Sequence, residues 1–162
     1  MGNRQRLLLE VATILHDCGK YVSLTEDATC TYQIIMSSEI IGLTHLERQI
    51  VAFIVLYNTL PLESYESVKE DMDKETYLIV SKLSAILRVA NALDQSHKQK
   101  FKNMRITVKN REFIMAVEAF EDMALEQLLF DTKTSYFENV FSMKPVLKLK
   151  RIYQLKSETK KD

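Results

Sequence analysis

The spacing of the apolar residues changes once along the chain, near residue 100, and this change limits the fold more than any other feature. Before it, hydrophobic residues recur three and four apart, the period of a helix with one buried face. Leu7, Val11, Ile14 and Leu15 predict a helix over residues 6–18, with Gly19 as its stop. Residues 19–29 are polar and read as a loop, followed by a short helix over 30–38 with Tyr32, Ile35 and Met36 inward. In "GLTHLE", Thr44 and Glu47 have the spacing of a capping box. The helix they open has Leu46, Ile50, Phe53, Ile54 and Tyr57 on one face and ends at Leu60-Pro61. Residues 59–73 are acidic and read as a loop. Asp73 is placed to cap the longest helix, about 74 to 95, whose stripe of Val80, Leu83, Leu87 and Ala90 runs on to Asp94. A carboxylate on a buried stripe requires a polar partner, because desolvating it unpaired is costly.

After residue 100 the apolar residues alternate. Met104, Ile106 and Val108 interleave with Arg105, Thr107 and Lys109, and Phe113, Met115 and Val117 repeat the pattern. Asn110-Arg111 between them suits a tight turn, since Asn tolerates positive φ. Leu125, Leu128, Leu129, Thr132, Tyr136, Val140 and Phe141 predict a helix, and Pro145 precedes a last strand with Leu147 and Leu149 on one side. The run "LKLKRIYQLK" reads as an edge strand protected by lysines, and the tail "SETKKD" as frayed. The expected fold is therefore mainly α: a helical lobe over 1–100 and a small ββαβ lobe of α+β type over 101–162. With only 3 Gly and 2 Pro, long helices are favoured over a loop-rich sandwich.

Lys plus Arg (22) balances Asp plus Glu (22), so bulk charge draws the chain to neither nucleic acid nor a membrane. By sequence, no apolar run approaches the ~20 residues of a membrane span, and the polar "MGNRQR" does not read as a secretory signal. Two cysteines, Cys18 and Cys30, suit a cytoplasmic protein with reduced thiols.

Two stretches carry chemistry. In "LHDCGKY", His16 and Asp17 follow an apolar helix, where a helix end lets both side chains reach one metal ion. A hydrolytic metal lowers the pKa of its bound water and aims it at a phosphoester, and an inward Asp94 from another helix would complete the set. The opposing reading is a buried polar knot in which Asp94 accepts a hydrogen bond from His16. The second stretch is "HKQKFKNMR", which holds His97, Lys98, Lys100, Lys102 and Arg105 and, with Lys20 and Arg88, forms a candidate polyanion path. Against it stands a solvated linker between the lobes.

Three segments, "LLLEVATILHDCGKYVSL", "YQIIMSSEIIGLTHLERQIVAFIVLYN" and "KLSAILRVANALDQSHKQK", resemble the C-terminal region of the exopolyphosphatase / guanosine pentaphosphate phosphohydrolase family. The resemblance implies a degenerate HD-like helical domain followed by a small mixed α/β lobe. The family's use of this region in holding polyphosphate supports Lys20, Arg88, His97, Lys98 and Lys100 as polyphosphate-binding residues. Of the HD metal ligands, His16, Asp17 and Asp94 match; Cys30 and Asn58 stand where the pattern has histidines. The helix that carries the first ligand, before Leu7, is expected to be missing. The family's phosphatase chemistry belongs to two upstream domains with glycine-rich phosphate loops, and nothing in this sequence resembles them.

The function these readings imply is that of a C-terminal accessory domain of an exopolyphosphatase-like enzyme, binding polyphosphate or another phosphorylated ligand, not catalytic alone. Its expected partners are the family's phosphatase domains, if the chain is a truncated piece, and a second copy in a homodimer. The competing reading is a minimal HD phosphohydrolase using a divalent metal (Mn, Mg or Zn) on a nucleotide or other phosphate ester. A third is an interaction module that senses a charged nucleotide.

Overall fold

The computed structural model describes residues 1–94 and 96–151. The tail "SETKKD" and Gln95 lie outside them. The chain divides into two compact units, Met1–Ala90 and Asn91–Asp162. The expected architecture is the observed one: helices first, then a small α+β arrangement with a three-stranded sheet.

In the first unit, α1 spans Asn3–Leu15 and is followed by a 3-10 turn, Cys18–Tyr21. Then come α2 (Asp27–Ser37), α3 (His45–Thr59), a short α4 (Tyr65–Val68) and α5 (Lys74–Leu93). The capping box forms as expected: Glu47 N–H donates to Thr44 Oγ1 at 3.2 Å, and Thr44 N–H donates to Glu47 Oε2 at 2.9 Å. Asp73 caps α5 by accepting the Thr76 N–H at 2.7 Å.

The unit is built around α3. Ile50 through Val55 are buried without a break, so this helix is surrounded on all sides rather than on the single expected face. Leu46, in its first turn, is exposed. The inward face of α1 is also rotated from the expected one. Leu8 and Ala12 are buried, Val11 and Leu15 pack beside them, and Ile14 is 80% exposed. Leu8, Val11, Ala12 and Leu15 keep helical spacing, so two stripes compete in this sequence and packing against α3 selects one. The acidic stretch 59–73 is not all loop: Val68 and Met72 reach the core from it. On α5, Val80, Leu83 and Leu87 are buried as expected, but Ala90 is exposed and the buried positions shift to Val89, Ala92 and Leu93. By length and composition alone α5 could cross a membrane, yet 56% of its apolar window is buried, as in the core helix of a packed unit.

In the second unit, β1 (Phe101–Lys109) and β2 (Glu112–Ala119) form an antiparallel hairpin. Asn110 (φ 51°) and Arg111 (φ 61°) make its turn, both left-handed, which matches the twist of the two strands. The helix α6 (Ala124–Phe141) then crosses back so that β3 (Lys144–Arg151) lies parallel to β2, giving the order β1-β2-β3. A parallel neighbour requires such a crossover. Val117, Ala119 and Met123 pack with Phe101, Leu147 and Leu149, and Phe113, Phe137 and Phe141 form an aromatic row. The inward face of α6 is Glu126, Phe130, Thr134 and Phe137, not the expected leucine stripe; Leu125 and Leu128 are exposed.

Candidate functional site

The "LHDCGKY" segment sits where α1 gives way to the 3-10 turn. His16 Nδ1 lies 2.7 Å from the Thr13 carbonyl oxygen. A carbonyl only accepts, so Nδ1 carries a proton, and Nε2 lies 3.4 Å from Asp17 Oδ1. The same Oδ1 is 2.8 Å from Lys20 Nζ. The turn is pinned to α2 through Gly19, whose N–H donates to Thr31 Oγ1 at 2.8 Å. A side chain at Gly19 would overlap the Asp27 carbonyl oxygen and the Thr31 backbone nitrogen, so this close approach requires glycine. Cys18 and Cys30 are free and half-buried.

The two donors of this unit do not suit a hydrolytic metal centre. Such a centre ordinarily takes three protein ligands, and here the Lys20 ammonium already lies on the Asp17 oxygen nearest the His16 ring. Among the described residues, no group of three or more His, Cys, Asp or Glu side chains could hold a metal ion. Asp94 belongs to the second unit.

Asp94 is half-buried rather than buried. Its carboxylate accepts the Gln99 N–H at 3.0 Å, and its carbonyl accepts the His97 N–H at 2.9 Å. Asp94 is therefore a turn-former at the end of α5, because the apolar stripe has rotated away from it by Ala90. The turn it begins contains two left-handed residues, His97 (φ 53°) and Gln99 (φ 49°). Non-glycine residues hold such angles only where neighbouring contacts fix them.

Asp94 holds the N–H groups of both, and Ser96 and Lys100 on either side are tied by Glu126. Glu126 is fully buried (0% exposed) in the first turn of α6. Its Oε1 accepts the Ser96 hydroxyl at 2.6 Å and the Ser96 N–H at 3.3 Å, and its Oε2 lies 3.1 Å from Lys100 Nζ. Burial pushes the Glu126 carboxyl upward. The Ser96 hydroxyl, the residue's own backbone N–H and the Lys100 ammonium outweigh it, and the group is held below its ordinary value. Sequence reasoning missed Glu126. The signal was available: it lies four residues before Phe130 on an apolar helical stripe, the pattern that drew attention to Asp94.

The five expected basic residues have distinct surroundings. Arg88 is turned onto the end of α3, where Nε donates to the Tyr57 carbonyl at 2.7 Å and a terminal nitrogen donates to the Leu60 carbonyl. It satisfies carbonyls that a helix end leaves unpaired. Lys100 is committed to Glu126. His97 and Lys98 are exposed at the crest of the turn, and Lys20 is exposed beside Asp17.

No curated protein matches the chain. Residues 2–133, from the start of α1 into α6, match the family described as Ppx/GppA phosphatase, domain III. With most of its length matched, the chain belongs to the Ppx/GppA phosphatase domain III family.

Proposed function

We propose that the chain is an accessory C-terminal domain of an exopolyphosphatase-like hydrolase, in which it holds part of a polyphosphate chain and performs no hydrolysis alone. The observation that carries this reading is the turn after α5. Asp94, Ser96 and Lys100 are tied down, and the turn presents His97 and Lys98 to solvent from backbone angles that need such support. A pre-ordered turn loses little conformational freedom on meeting a ligand. Ligand contact is assigned to Lys98 and His97 of this turn, whereas Arg88 and Lys100 of the expected set act by shaping the chain and Lys20 pairs with Asp17. A homodimer would offer two such turns to one polyanion. The enzyme reading, with Mn, Mg or Zn on His16, Asp17 and Asp94, is weakened by the Lys20 ammonium on Asp17.

The test is a titration of labelled inorganic polyphosphate, short and long, at two salt concentrations, with released phosphate measured in the same tubes. Affinity should rise with chain length and fall with salt, because exposed charges are screened over about 8 Å at physiological ionic strength. Lys98→Ala should weaken binding with no phosphate released. Equal affinity for wild type and Lys98→Ala would remove the turn from the account. Phosphate release that disappears in Asp17→Ala would establish the enzyme instead.

A further inference from the structure

We propose that the outer edge of β1 receives an extended acidic segment of a partner protein, which adds to the sheet as a further strand. β1 is nine residues long, contains no proline, and lies at the margin of the sheet. Among the described residues no strand pairs with its outer side, so its outward N–H and C=O groups form a template for another strand.

The apolar side chains of β1 show the same vacancy. Met104, Ile106 and Val108 share a face with Val117, Met115 and Phe113, their direct partners on β2. Met115 and Val117 are each 1% exposed, whereas Met104, Ile106 and Val108 are 45%, 49% and 57% exposed. The cover over this face thus stops between two adjacent strands, and a row of three apolar residues lies uncovered beside an open edge.

Charge selects the occupant. β1 carries Lys102, Arg105 and Lys109 and no acidic residue. On β2, Glu112 and Glu118 offset them, and Glu118 is already engaged by Asn103 and Lys150. A second copy paired edge to edge would set these cations against their own kind, which destabilises a strand pair. A segment with alternating apolar and acidic residues meets both faces at once: its apolar side continues the Met104–Ile106–Val108 row, and its carboxylates lie beside Arg105 and Lys109. This surface is separate from the turn assigned to polyphosphate, and its test does not depend on that assignment.

The probe is a synthetic nine-residue peptide of alternating valine and glutamate, matched to β1 in length. Its controls are a peptide of the same composition in block order and an alternating valine–lysine peptide. Binding is read by fluorescence anisotropy, and pairing by hydrogen exchange of the β1 amides. The alternating acidic peptide should bind and slow β1 exchange, and both controls should bind at least about tenfold more weakly. Arg105→Glu and Ile106→Thr should each lower affinity about tenfold, with unchanged melting temperatures showing an intact strand. If Ile106→Thr unfolds, Arg105→Glu still decides, since that residue is exposed. Three results would overturn the proposal: equal binding of the block-order peptide, unchanged β1 exchange, or concentration-dependent protection of β1 without peptide, which would assign the edge to a second copy.

Discussion

Replacing Lys100 with Met removes the ammonium paired with a carboxylate that has almost no access to solvent. The side chains of Lys100 and Glu126 are 12% and 1% exposed. A hydrogen bond to a charged group contributes about 1.5–3 kcal/mol, and breaking a buried pair from one side costs about 3–5 kcal/mol. The Ser96 hydroxyl remains on the carboxylate and Lys100 keeps some access to water, so a loss of about 2–4 kcal/mol is expected for the second unit. Denaturant unfolding monitored at β1 and α6 measures it. The double variant Lys100→Met with Glu126→Gln should recover a large part of the loss, because the amide still accepts from Ser96 and no charge is left unpaired. A cycle whose two single effects simply add, or a Lys100→Met loss below about 0.5 kcal/mol, would show that the ammonium does not hold the turn. The pH dependence has a definite sign. The folded Glu126 carboxyl titrates below the ordinary glutamate value of 4.5. Its stabilisation is therefore complete above 4.5 and is lost as pH falls below that value through the lower folded one.

Gly19→Ala should destabilise the first unit by about 3 kcal/mol, the upper range for overpacking, because the new methyl meets backbone atoms of α2 that cannot step aside; a melting temperature within error of wild type would refute it. Glu47 is held down to about 2, first by its side-chain bond to Arg4 and then by Thr44, so its stabilising effect is present above 4.5 and lost as pH falls through about 2. In Arg4→Ala, NMR titration should show the Glu47 midpoint moving up toward 4.5, and an unmoved midpoint would mean that the Arg4 contact is not formed in solution. Asp94→Ala should cost about 1 kcal/mol, the worth of one backbone hydrogen bond at a turn rather than of a buried charge, and a loss above about 3 kcal/mol would restore the buried reading. Protein purified without chelator should contain no stoichiometric divalent metal, and a metal content abolished by Asp17→Ala would contradict the Asp17–Lys20 pairing.

The sequence by itself determined what depends on neighbours along the chain. Thr44 and Glu47 cap their helix, Asp73 caps the next, and Asn110-Arg111 turns the hairpin, because each device closes within a few residues. The switch of period near residue 100 likewise announced the order of helices and strands. Tertiary structure decided which face of each helix turns inward. On α1 the stripe of Leu8, Val11, Ala12 and Leu15 displaced Ile14, on α6 Glu126 and Phe130 displaced the leucines, and on α5 the buried face rotated away from Ala90 and Asp94. A helix of mixed composition offers several stripes of similar hydrophobicity, and only the shape of the neighbouring element chooses among them. The basic residues followed the same rule. Lys98 and Lys100 are indistinguishable as letters two apart, yet one lies in solvent and the other on a buried carboxylate, because Glu126 approaches from 26 residues further along the chain.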